Sequence, residues 1–462
     1  MPLEAPQWDL EQIGLGGPDA IKALLKEMPV RASEFVDSYR GRLGRLGPDA
    51  LRKFIEARDA MFMEFEGAWL YCRLSASAKT ADPVAGALNN SSTEASTAVG
   101  QALAPLEIEL GKRLMSKPEV VSSKQLATYR HYLEKLARAA PHLLSEAEER
   151  VILDKDKSGA IEWQQLQRSW LTTRTFTMTI EGKEVSLSFG QMYGNLRSPD
   201  RDVRRQTTQV LGKALGENEI VWSHALRAIC SDHIATCKGR GYSSPEEASY
   251  VAHDVQAGSI VALMNSIEKN TGLNDDWMTR KAKLMRLPKL SSYDIFAPLP
   301  SKASRRYTWD EGKEIVTSAY SEFDGQMGEW VKEMFASRHI DADVRPGKYN
   351  GAFSDDWLKG RSAFILQSFN GALDDVNTLA HELGHSMHSY LYSRFQAPSN
   401  CRITPCVAEC ASTFGELLLT EKLLRDASSE DERTVVLAKV LDGFHLSVFL
   451  TATRFRLESG LY

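Results

Sequence analysis

Asp375-Val376-Asn377-Thr378-Leu379-Ala380-His381-Glu382-Leu383-Gly384-His385-Ser386-Met387-His388 is the stretch around which the chain organises itself. Leu379, Leu383, Met387 and then Leu391 recur every four positions, the spacing of a helix with one buried stripe. His381 and His385 stand beside that stripe in an HExxH pattern. Four residues turn a helix by about 400°, so the imidazoles lie one above the other, roughly 6 Å apart along the axis. Such a pair is a two-point clamp for a divalent metal, above all zinc. Glu382 sits roughly 100° round the helix. It is poorly aimed at the metal but within reach of the metal's water, where a general base is needed. The rival reading is an amphipathic helix with hydrogen-bonded surface histidines. The apolar stripe argues against it, because it sets the histidines at the wall of a core.

A catalytic zinc needs a third protein ligand and an open position. A helix expected from Thr404 to Glu421 offers Glu409 and Glu416. These are two turns apart and share a face, so helical spacing alone does not choose between them. Just before the HExxH helix, Ala363-Phe364-Ile365-Leu366-Gln367-Ser368-Phe369 reads as a short buried strand ended by Asn370-Gly371. A strand beside a metal site can take an extended peptide along its edge by main-chain hydrogen bonds, or it is an ordinary core strand.

The first 150 residues are rich in Ala, Leu, Glu, Lys and Arg and read as helix after helix, with Phe62, Phe65, Trp69, Leu70 and Cys72 at helical spacing. Asn89 to Thr97 fits a loop or a polar helix face. Phe176–Ile180 and Glu184–Ser188 alternate around Glu181-Gly182-Lys183 and predict a hairpin. Ser198-Pro199-Asp200 opens a long helix expected to reach Gly239; others are expected from Gln256 to Met285 and, capped by Thr308 and Glu311, up to Ser337. Asp154-Lys155-Asp156-Lys157-Ser158-Gly159 resembles the start of an EF-hand calcium loop, but Gln165 stands where its bidentate Glu belongs. The competing reading there is a solvated acidic turn.

Composition bounds the rest. With 462 residues, 43% hydrophobic and 25% charged, the chain is a folded globular protein with room for two or three domains. A net charge of −5 gives no footprint for nucleic acid. The N-terminus lacks the pattern of a secretory signal, and no uncharged apolar run approaches a membrane span, so a cytoplasmic protein without membrane contact is expected. Six cysteines in so long a chain make no disulfide framework. Cys401, Cys406 and Cys410 cluster without paired metal spacing and are expected to be buried thiols.

The HExxH segment, followed by Val407-Ala408-Glu409-Cys410-Ala411-Ser412-Thr413-Phe414-Gly415-Glu416, resembles the oligoendopeptidase F branch of the thimet oligopeptidase family; Tyr293–Pro298 and Gly351-Ala352-Phe353 extend the likeness. The resemblance implies a mainly α, two-lobed helical metallopeptidase with a deep central cleft and a small β element beside the zinc helix. It implies a helical lobe over 1–195 and a zinc-peptidase domain over 196–462. It implies one Zn2+ held by His381, His385 and the Glu409 of an ExxS pattern completed by Ser412, with Glu382 as catalytic base and short oligopeptides as substrates. Glu416 then becomes a partner able to orient a ligand histidine, and His388 matches a family position without implied ligation. Family members carry a His- and Tyr-containing oxyanion segment roughly a hundred residues beyond the third ligand, whereas this chain stops at Tyr462. A missing C-terminal segment, or a second chain supplying it, is therefore expected. The alternatives to a peptidase are a zinc-loaded peptide-binding fragment and an EF-hand-like calcium-binding helical protein.

Overall fold

The computed structural model describes residues 5–300 and 306–462, which are mainly helical, as expected. They form two compact units, each assembled from two separated segments: Met1–Glu146 with Arg305–Arg425, and Ala147–Ser304 with Asp426–Tyr462. A single linear boundary at 195/196 does not describe this interleaving.

The first unit opens with helices Pro18–Tyr39, Pro48–Ala78 and Pro83–Ser116. Each starts on a proline, whose missing N–H is one of the donors that a helix start leaves without a partner in any case. Asp82 caps the third, its Oδ1 accepting the Val84 N–H at 2.8 Å. Asn89 to Thr97 lies inside that helix, where Thr93 and Thr97 donate their hydroxyls to the carbonyls one turn back. Phe54, Phe65, Leu103 and Leu106 belong to the buried core of the bundle.

The second unit carries the hairpin β1 (Thr175–Ile180) and β2 (Lys183–Ser188), joined by Glu181 and Gly182, both at positive φ. Two left-handed residues in a two-residue connection are what the twist of an antiparallel pair favours. The helix expected from 198 to 239 is two, Arg201–Gly216 and Glu219–Gly239, and the one expected from 256 to 285 divides into Ala257–Lys269 and Thr271–Leu284. The breaks fall at asparagines that close the preceding turn: Asn218 Nδ2 donates to the Ala214 carbonyl at 3.0 Å and Asn270 Nδ2 to that of Ser266 at 2.8 Å. Such side chains compete with the helix for its own backbone groups. In the first unit Asp324 similarly separates Trp309–Phe323 from Gly325–Ala336, its Oδ1 accepting the Met327 N–H at 2.9 Å.

The calcium-loop expectation fails here. Helices Glu146–Ser158 and Ala160–Thr173 leave only Gly159 outside regular helix, so the acidic side chains lie along a helix instead of wrapping an ion. Glu430–Ser459 is a helical run of 30 residues with an apolar window of mean hydropathy 1.6, long and apolar enough to cross a membrane by length and composition alone, though it carries Lys439 and Asp442 and so is not an uncharged run. Within it Asp442 accepts Lys281 Nζ at 2.6 Å and Trp277 Nε1 at 3.0 Å, which ties the run into its unit.

The first unit resumes with a three-stranded sheet, β3 (Ile340–Asp341), β4 (Phe353–Trp357) and β5 (Ser362–Leu366), in the order β3-β5-β4. β5 runs parallel to β3 and antiparallel to β4, and all five of its residues are buried. The expected substrate strand is therefore the middle strand, with both edges paired; the outer strands are β3 and β4. A buried ammonium fixes the connection: Lys348 Nζ lies 2.7 Å from Asp341 Oδ1 and donates to the carbonyls of Asp341 (3.0 Å), Asp343 (2.8 Å) and Gln367. Asp341 keeps Arg345 as a bidentate partner, so Lys348→Ala would strand chiefly the carbonyls and is expected to cost about 1–3 kcal/mol, measured as a lower urea midpoint; an unchanged midpoint would show that the connection holds without it.

Candidate metal centre

The helix bearing His381 and His385 runs from Leu373 to Phe395, and its start is fixed from the third helical position. Asp375 Oδ2 accepts the N–H groups of Asn370 at 2.8 Å and Ala372 at 3.0 Å. Gly371 enters at φ +83°, where an added Cβ would meet the Tyr307 carbonyl at 2.5 Å, so only glycine fits. Leu379, Leu383 and Met387 are buried as expected, but Leu391 is 42% exposed, so the stripe ends one turn early. His381, His385 and His388 are partly exposed along the opposite, open side, not beside the stripe as expected, because two residues turn a helix by about 200°.

The helix Pro405–Asp426 meets this one backbone to backbone. A Cβ on Gly384 would lie 2.3 Å from the Ala411 carbonyl, and one on Gly415 would lie 2.4 Å from the Ala380 carbonyl. Tyr320, wholly buried, donates its hydroxyl to that same Ala380 carbonyl at 2.8 Å and braces the crossing. Mid-helix glycine costs roughly 1 kcal/mol against alanine, so two at one contact need a reason. The close approach supplies it.

This contact brings one nitrogen each from His381 and His385 and a carboxylate oxygen from Glu409 within 4.8 Å of one another, the one such group of three among the described residues. Glu409 Oε2 lies 3.5 Å from His381 Nε2 and 3.7 Å from His385 Nε2. Glu416 is on the other side of the ring, its Oε1 2.6 Å from His381 Nδ1. Spacing left these two glutamates equivalent; the crossing separates them, with Glu409 beside both Nε2 atoms and Glu416 behind one imidazole. Ser412 holds Glu409 in turn, donating Oγ to Oε2 at 2.7 Å. Two imidazoles and one carboxylate with a fourth side open are a donor set that suits zinc. The cysteines stay outside the cluster: Cys401 is buried with its thiol directed at the carbonyls of Tyr392 and Ala397, while Cys406 and Cys410 are exposed, contrary to expectation.

Glu382 is 6% exposed, and its Oε2 is buried without a hydrogen-bond partner. Burial pushes its pKa up to about 7, against the pull of the His381 charge and of the Ser354 backbone N–H directed at it from β4. His385 is held below the usual histidine range by burial and by the neighbouring His381. His381 is also opposed by burial, yet the Glu416 hydrogen bond and the surrounding carboxylates raise it. Tyr320 and Ser354 were missed in the sequence, since neither belongs to a motif and both act through tertiary approach.

The fold and site together define a mainly helical protein of the HExxH class, with a carboxylate contributed by a second helix. A family model described as peptidase family M3 matches residues 195–456, more than half of the chain, and one described as oligopeptidase F matches residues 117–175. The chain belongs to peptidase family M3. It is 25% identical over 419 residues to oligopeptidase PepF of Bacillus subtilis, covering 90% of this chain and 62% of that protein. To the chromosomal oligoendopeptidase F of Lactococcus lactis subsp. cremoris it is 29% identical over 269 residues, covering 58% of this chain and 44% of that one. The crystal structure of oligoendopeptidase-F from Enterococcus faecium superposes with a TM-score of 0.63 at 22% identity, covering 96% of this chain and 74% of that chain, a likeness of fold. The chain thus spans less than two thirds of the length of these curated relatives.

Gly384→Ala is expected to destabilise the protein by about 1–3 kcal/mol through overpacking. Gly100→Ala, at an open position in the Pro83–Ser116 helix, is expected to be neutral or stabilising by up to about 1 kcal/mol. Thermal unfolding of both checks the crossing; equal behaviour would contradict it.

Proposed function

We propose that this chain is a zinc metalloendopeptidase that hydrolyses short oligopeptides. The observation carrying the reading is that His381, His385 and Glu409 converge within 4.8 Å beside a buried carboxylate, Glu382, that has one oxygen without a partner. The names of the relatives, oligopeptidase and oligoendopeptidase, favour the same class of substrate.

His381, His385 and Glu409 would hold the zinc, which when bound supplies Lewis-acid activation of water and of the scissile carbonyl. Glu382 takes the proton that the attacking water loses and returns it to the leaving amine; a carboxylate whose affinity for a proton lies close to neutrality serves both transfers. Glu416 accepts the His381 Nδ1–H and so fixes the tautomer that leaves Nε2 free as a ligand. Ser412 holds the Glu409 carboxylate in one orientation. The outer edge of β4 offers main-chain groups to an extended peptide next to Glu382, the role first assigned to the strand that proves to be β5.

Glu382→Gln is expected to lower turnover of a quenched fluorescent peptide by about 10²–10⁴-fold while zinc, measured by atomic emission, stays near one per chain. Retained turnover would remove Glu382 from its role, and a wild-type chain that binds peptide and zinc without cleaving would favour a peptide-binding protein. Glu416→Gln is expected to weaken zinc binding by about 10–100-fold, followed by chelator competition; unchanged affinity would make the contact merely structural.

A further inference from the structure

The open side of the HExxH helix carries three imidazoles at successive turns, and the reading above uses two. His388, seven residues beyond His381, is partly exposed, and its Nδ1 is buried with no hydrogen-bond partner in the protein. It lies outside the group of side chains that converge as metal donors. Its ring rests edge-on against Tyr392, with centroids 5.1 Å apart, which fixes its plane. Because Nδ1 is enclosed, what the ring shows to solvent is its opposite edge, which carries Nε2.

β4 runs along the helix: Ser354 Oγ lies 3.0 Å from Ser386 Oγ and the Ser354 N–H is directed at Glu382, while Asp356, two residues on, accepts from Ser389 Oγ. The Ser354 N–H, directed at Glu382, points away from β5, so by the two-residue alternation of a strand the Asp356 carbonyl faces the same edge, its N–H being taken by the Asp355 carboxylate. Asp356 itself is committed to Ser389 and Tyr392, which leaves the adjacent imidazole available to an incoming group. Two strand residues advance about 6.6 Å, so an extended peptide paired with β4 and cleaved next to Glu382 brings its second residue from the scissile bond alongside His388.

We propose that His388 is a substrate-contacting residue that hydrogen-bonds the peptide two residues from the cleaved bond and thereby sets the minimum length of a good substrate. This rests on the peptidase reading above. An imidazole kept neutral by its burial both donates and accepts, so it can serve a peptide N–H or C=O without selecting a side chain. The contact would then favour extended length over sequence.

The test is a ladder of quenched fluorescent peptides lengthened residue by residue on each side of one cleavable bond, assayed with the wild type, His388→Ala and His388→Gln. For peptides that reach the second position on one side, His388→Ala should raise KM by about tenfold, the loss of one hydrogen bond. It should leave kcat and zinc content unchanged and leave shorter peptides unaffected. His388→Gln, which keeps a donor and an acceptor, should recover part of the loss and guards against a folding defect in the alanine variant. The same step should appear in peptide affinity measured by fluorescence anisotropy in the Glu382→Gln background, where no turnover is needed. Equal loss at all lengths, no loss at any, or loss of zinc overturns the role of His388, whereas wild-type turnover by Glu382→Gln overturns the reading beneath it.

Discussion

The site depends on two helix backbones coming closer than side chains normally permit. Gly384 and Gly415 make that possible, one on each helix, and each faces a carbonyl of the other. Without this approach, the HExxH helix would present two imidazoles and no third donor beside them. With it, Glu409 reaches both Nε2 atoms from a separate element, and Tyr320 adds a hydroxyl to the Ala380 carbonyl one residue before His381. Tight interhelical packing is here a means of setting ångström-scale positions for polar groups, because a close-packed interior resists adjustment.

Around that crossing, carboxylates are assigned by what lies beside them. Glu409 is partly solvated and held by Ser412, Glu416 sits against an imidazole, and Glu382 is enclosed with one bare oxygen. Burial drives Glu382 up to about 7.

Much of this was legible in the residues. The HExxH spacing set His381, Glu382 and His385 on one helix, because a helix fixes angles locally, and the alternation around Glu181-Gly182-Lys183 predicted the hairpin, although Lys183 already belongs to β2. What failed was long-range or competitive. Leu391 continues the four-residue pattern but lies 42% exposed, since periodicity does not say where the neighbouring core ends. Asn218, Asn270 and Asp324 stopped helices that propensity would have carried through, because a short polar side chain took over a backbone hydrogen bond. β5 read correctly as buried, yet its neighbours, and so which strands lie outermost, depend on strands 340–341 and 353–357, whose pairing no local pattern announces. Helical spacing likewise left Glu409 and Glu416 open; the ExxS resemblance pointed to Glu409, and the crossing is what sets that carboxylate beside both Nε2 atoms.

The unit that holds the site is closed by segments far apart in the chain: Trp8 packs on Phe353 and Phe364, and residues up to 146 share their unit with 305–425. A ribosome adding about 5–20 residues per second would need roughly 15–60 s to travel from the end of the first segment to the end of the second. During that interval the apolar faces that await Phe364 and Leu366, including Trp8, Leu70 and Leu74, have nothing to close on. The protein's exposure to misassociation and to chaperones is thus written into the order in which its segments emerge, and it ends when the same residues that build the metal centre leave the tunnel.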